Sequence, residues 1–192
     1  MTLKRSQTSF FLFFLLFLIN CQSEKPAPQL QNNREKQIET TARDFFKTFA
    51  DRQDWDRLCS FYREDLEFED ISLQLKLDSL WQFKRFYKWD EEGGNFKKLT
   101  PDQEHLTLYS LVANDSIAVA RGRVNPFYYY GEMIDVEWGM EFTIWLYFDE
   151  NLKIKKQVDW MEYGPTVFEA VINRVRENGI DKIPDWLDLS RE

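Results

Sequence analysis

Three observations predict an α+β fold for this chain. Apolar residues recur at helical spacing before about residue 62, and they alternate with period two along most of the second half. A single composition break, near Gln37, separates a polar segment from the rest, and no internal repeat follows it. Helices at the front and long antiparallel strands behind make a sheet packed on one face by helices.

The chain opens with Lys4 and Arg5 and no acid before Phe10, and Phe10 to Ile19 is an unbroken apolar run. This is the layout of an export signal over residues 1–20. The run is too short for a membrane span, which needs about 20 apolar residues. Leu18-Ile19-Asn20-Cys21 resembles the lipobox of bacterial lipoproteins, with Asn20 where a small residue is usual. The resemblance implies cleavage before Cys21 and a lipid on its thiol. Gln22 stands where an aspartate would signal retention at the inner membrane, so outer-membrane residence in the cell envelope is expected. The formal net charge of −8 gives no attraction for nucleic acid or an anionic lipid surface, so attachment has to come from the lipid. Residues 21–36 are rich in Gln, Asn, Pro and Lys, with Leu30 the only large apolar residue, and are expected to form a flexible tether.

The domain is expected over 37–178. Ile38, Ala42, Phe45, Phe46, Phe49 and Ala50 mark the buried stripe of a first helix. Asp54 suits the cap of a short second helix that turns Trp55, Leu58 and Cys59 inward. Cys59 then reads as an inert core thiol, and with Cys21 acylated no intramolecular disulfide can form. After Glu64 the period becomes two: Leu66, Phe68 and Asp70 share the inward face of a strand. A third helix is expected from Asp78 to about Trp89, and Glu91 to Asp102 reads as a loop. Glu104 to Ala113 and Ile117 to Val124 flank the turn residues Asn114-Asp115-Ser116. Asn125 to Gly131 reads as an aromatic loop, and a long strand is expected from Ile134 to Phe148. Asp149-Glu150-Asn151 turns the chain into a last strand, Lys153 to about Tyr163. Pro165 is placed to open a C-terminal helix ending near Gly179, with 179–192 a tail.

Phe45-Phe46 before Asp54-Trp55-Asp56, then Phe61-Tyr62-x-x-Asp65-Leu66-x-Phe68-Glu69-Asp70, then Phe148-Asp149-Glu150-Asn151-x-x-Ile154 and Val158-Asp159-Trp160, resemble the NTF2-like superfamily, particularly its SnoaL-like and ketosteroid-isomerase-like members. The resemblance implies a cone: a strongly curved, mostly antiparallel sheet, about three N-terminal helices and a C-terminal helix around a pocket. Phe46, Trp55, Phe68, Tyr128 and Trp160 are expected to line it.

Carried over by position, Asp70 falls where the isomerases place their general base. A carboxylate desolvated there would have a raised pKa and could shuttle a proton. Phe46 and Ile144 fall where those enzymes place the tyrosine and the protonated acid that stabilise the oxyanion, so the steroid-isomerase constellation is not expected. The SnoaL-like resemblance adds an acid on the closing strand. Asp159 and Glu162 are the candidates, but they lie on opposite faces and only one can point inward. His105 is the one histidine and has no second histidine or nearby cysteine beside it, so no metal or cofactor is expected.

Two function classes remain. The first is non-catalytic binding of a small apolar ligand or a protein partner at the envelope, which the missing oxyanion groups favour. The second is acid/base chemistry on a hydrophobic molecule by Asp70, helped by Asp159 or Glu162. Cones of this kind also pair through their open sheets, and Trp145 and Tyr147 suit a homodimer.

Overall fold

The first helix, α1 (Pro28–Asp51), buries one stripe over its C-terminal half, composed of Ile38, Ala42, Phe45, Phe46, Phe49 and Ala50. In this computed structural model, residues 28–73, 75–87, 96–129, 131–134 and 140–164 are described. The export signal, Cys21, the expected helix after Pro165 and the tail 179–192 lie outside them. Residues 28–36, expected to be tether, belong to α1. Pro28 suits a first helical position because its missing N–H has no helical partner to lose. Farther along, Arg34 donates to the backbone carbonyls of Asp115 (3.3 Å), Glu150 (3.0 Å) and Asp149. Those acceptors come from two distant turns, which local composition cannot reveal.

α2 (Trp55–Ser60) starts where Asp54 Oδ1 accepts the backbone N–H of Arg57 at 2.8 Å. β1 (Tyr62–Asp70) follows, with Tyr62, Leu66, Phe68 and Asp70 buried. A short strand, β2 (Leu75–Leu77), pairs back on β1, and the third helix, α3 (Leu80–Tyr87), begins two residues after its expected start, with 88 and 89 outside the described residues.

The second half holds β3 (Phe96–Lys98), β4 (Leu106–Ala113), β5 (Ile117–Val124), β6 (Phe127–Tyr129), β7 (Glu132–Ile134), β8 (Met140–Phe148) and β9 (Ile154–Met161). Six strands form one sheet in the order β2-β1-β9-β8-β5-β4, parallel only where β1 meets β9. Two segments expected as loops are strands: β3 and β6 pair with each other, and β7 completes a separate three-stranded sheet. The long strand expected over Ile134 to Phe148 is therefore shared between two sheets, and 135–139 lie outside the described residues. This corrects the expectation of one strongly curved sheet: the main sheet is not strongly curled.

The helices cover the inner face of the main sheet, and aromatic rings fill the space between. Phe45, Phe46, Phe68, Phe83 and Phe142 are all buried there. Gly122 of β5 permits one close approach, since a Cβ would lie against the carbonyl oxygen of Thr107 and 2.6 Å from Phe142 Cζ. No helix among the described residues is long and apolar enough to cross a membrane.

Candidate functional site

Between the C-terminal end of α1, α3 and the inner sheet face lies a cavity of about 170 Å³. Most of its wall is apolar, including Phe49, Phe127, Phe142, Ile144 and Met161. Five polar or charged side chains share that wall: Arg52, Tyr87, His105, Asp159 and Tyr163.

Alternation along β9 explains why Asp159 points in. Gln157 and Asp159 are buried, and Trp160 between Asp159 and Met161 is 65 % exposed. The ambiguity over the closing strand is thereby resolved: Asp159 faces the cavity and Glu162 is exposed. Asp159 Oδ1 accepts from Gln157 Nε2 at 2.8 Å, and Oδ2 lies 3.4 Å from Tyr87 Oη. Burial is the largest influence on this carboxyl. With the neighbouring Asp70 it outweighs the Gln157 and Tyr87 hydrogen bonds, and the pKa is pushed up to about 8.

Asp70 ends β1 as expected and is buried, opposite Asp159 in the β1–β9 register. It lies behind the cavity wall instead of in it. Oδ1 accepts the backbone N–H of Leu73 at 2.9 Å, closing the turn after β1, and Oδ2 accepts from Tyr163 Oη at 2.5 Å. Burial raises its pKa, while Tyr163 and the backbone N–H groups of Leu73 and Ser72 oppose the rise. Tyr163 thus stands between Asp70 and the cavity, and burial and Asp70 raise its own pKa.

His105 sits among Phe96, Phe127 and Phe49, with ring centroids 4.6, 5.5 and 6.1 Å away. Its Nδ1 is buried and has no hydrogen-bond partner among the described residues. Burial, then the nearby cations Arg52 and Lys98, hold its pKa well below 6.5, so the ring is neutral at pH 7. Arg52 leaves α1 in the left-handed conformation (φ 48°), and its guanidinium carbon lies 3.4 Å from the centre of the Phe96 ring.

The five aromatics expected to line a pocket do not line this one. Phe46 stacks on Phe142 (6.4 Å) and Trp55 on Phe83 (6.4 Å), Phe68 packs on Phe83 (5.3 Å), and none of the three is in the wall. Tyr128 and Trp160 are exposed. The helical and strand periods identify them as apolar-facing or rim residues but do not say how deep each lies. Tyr87, Gln157 and Tyr163 were not singled out by the sequence. The one available signal was that Gln157, Asp159 and Tyr163 share a face of the last strand. Among the described residues no group of three or more His, Cys, Asp or Glu side chains could hold a metal ion.

No protein-family model matches the chain. No curated protein matches it either. Solved structures do. A candidate ketosteroid isomerase from Kribbella flavida is 17 % identical with a TM-score of 0.50, over 70 % of this chain and 83 % of that one. A candidate SnoaL-like polyketide cyclase from Shewanella putrefaciens is 16 % identical with a TM-score of 0.50, over 76 % and 91 %. An NTF2-like protein from Anabaena variabilis is 12 % identical with a TM-score of 0.50, over 69 % and 92 %. At these identities the likeness is one of fold: the chain shares an α+β fold with NTF2-like proteins, SnoaL-like and ketosteroid-isomerase-like structures among them.

Proposed function

We propose that the domain binds a small, uncharged, largely apolar molecule in the cavity and exchanges a proton with it through Asp159. The observation that carries this reading is a buried carboxyl in the wall of an apolar cavity, held at about 8. At pH 7 such a group is mostly protonated and roughly a tenth ionised, so it can donate to a carbonyl or accept a carbon-bound proton. Tyr87 lines the same wall with its hydroxyl only weakly held, 3.4 Å from Asp159 Oδ2, so it can turn to a bound carbonyl and take the role left empty at Phe46 and Ile144. A purely binding role, which the sequence favoured, has no need of a desolvated acid in the wall. The space suits a ligand of roughly one six-membered ring, since a cavity of about 150 Å³ holds benzene.

The test is solvent-deuterium incorporation into 2-cyclohexenone next to its carbonyl, followed by proton NMR. Wild type is expected to accelerate exchange, and Asp159→Asn to remove the acceleration. Wild type no faster than the variant overturns the reading.

We also propose that a lipid on Cys21 displays this domain at the cell envelope, on the outer membrane, on the strength of the signal-like residues 1–20. A palmitate-analogue label that Cys21→Ser retains would count against it. The exposed side chains of Val112, Trp145 and Trp160 support a homodimer through the open sheet face, and sedimentation as a monomer at high concentration would remove that proposal.

A further inference from the structure

Gln157 is fully buried on β9, two residues before Asp159, and the chemistry proposed above makes no use of it. Its side chain bridges two groups. Tyr62 Oη donates to Oε1 at 2.6 Å, and Nε2 donates to Asp159 Oδ1 at 2.8 Å. The hydroxyl decides which way the amide points. Tyr62 is buried, and among the described contacts its proton has Oε1 as acceptor. Reversing the amide would turn its NH₂ toward that hydroxyl and strand the phenol proton, a costly loss for a buried donor.

With the amide so directed, Asp159 Oδ1 accepts an N–H in either protonation state. The carboxyl proton then belongs on Oδ2. That oxygen lies beside Tyr87, which lines the same cavity, and at 3.4 Å Tyr87 holds it weakly. Oδ2 is therefore the oxygen free to meet a bound molecule.

We infer that Gln157, locked by Tyr62, is a positioning residue that fixes the Asp159 carboxyl and confines its exchangeable proton to Oδ2. The inference rests on the proton-exchange reading. Other ionisable groups also face Asp159: Asp70 and Tyr62 from β1, Tyr87 from α3 and Tyr163 beyond β9, with Arg52 and His105 in the cavity wall. Among them the Gln157 N–H favours the ionised carboxylate, against burial and Asp70.

The test follows the Asp159 carboxyl by carbon-13 NMR through a pH titration of the full chain, in wild type, Gln157→Met and Tyr62→Phe. Met fills the space of Gln without its N–H. The ionised fraction of Asp159 at pH 7 is expected to fall roughly tenfold, the worth of one hydrogen bond to a charged group. Tyr62→Phe keeps the ring against Phe45 and Phe83 while freeing the amide to turn, so the midpoint moves the same way by less. A role in packing alone would leave both midpoints where wild type has them. A wild-type midpoint near 8 that neither variant moves overturns the positioning role and leaves the proton-exchange reading intact. A wild-type midpoint near the ordinary carboxylate value of about 4 overturns that reading itself. Should Gln157→Met fail to fold, Tyr62→Phe decides the question.

Discussion

Asp70 and Asp159 are register partners where β1 runs parallel to β9, and a different tyrosine attends each, Tyr163 on Asp70 and Tyr87 on Asp159. Two carboxyls near each other and away from water resist a second ionisation, and Asp70 adds to the burial that raises Asp159. The arrangement gives the two acids different work. Asp70 closes a turn and holds Tyr163, and Asp159 meets the cavity.

Asp159→Asn should flatten the dependence of stability on pH. The folded-state pKa of about 8 lies above the unfolded value of about 4, so the native state binds more protons between them. Wild-type stability should therefore fall as pH rises from about 4 to 8, by at most about 1.4 kcal/mol per pH unit from this group. Asn has the shape and hydrogen bonds of the neutral acid. Urea unfolding at pH 5, 7 and 9 should show the variant gaining on wild type toward alkaline pH, and parallel curves would contradict the assignment.

The pH effect of His105 has the opposite sign. Its folded-state pKa is depressed, so its contribution is present above the unfolded value of about 6.5 and is lost as pH falls below it. His105→Phe keeps an aromatic ring among Phe49, Phe96 and Phe127 and removes the unpartnered Nδ1. The variant should lose less stability than wild type between pH 6.5 and 5. Thermal melts in that window check it.

Phe142→Ala and Trp160→Ala should separate the two faces of the sheet. Phe142 is buried, stacks on Phe46 and forms part of the cavity wall, so its truncation should cost on the order of 3 to 5 kcal/mol. Trp160 is mostly exposed, and its loss should stay within about 0.5 kcal/mol in the monomer. Denaturant unfolding at low protein concentration measures both.

Gly122→Ala should destabilise by roughly 1 to 3 kcal/mol, because the added carbon would press on the Thr107 carbonyl and the Phe142 ring. One neighbour is backbone and cannot step aside. A variant as stable as wild type in urea would show that the strands can separate there.

Much of the fold was legible because periodicity is a local property. The stripe from Ile38 to Ala50, the inward set Leu66, Phe68 and Asp70, the β4–β5 hairpin and the alternation from Met140 to Phe148 all appear where spacing put them. What failed depended on distant partners. Phe96–Lys98 is a strand because Phe127–Tyr129 pairs with it, and residues 28–36 are helical where Arg34 reaches two turns far along the chain.

The candidate site divides in the same way. By itself the sequence determined that Asp70 faces inward and that Gln157, Asp159 and Tyr163 share one face, since side chains alternate along any strand. Only the tertiary structure decided which face is inner, that Asp159 and not Asp70 meets the cavity, and that Tyr87 and Tyr163 attend the two acids. Tyr163 and Asp70 are 93 residues apart. Their contact, and the desolvation that raises Asp159, exist only once β1 and β9 pair and the helices close over them.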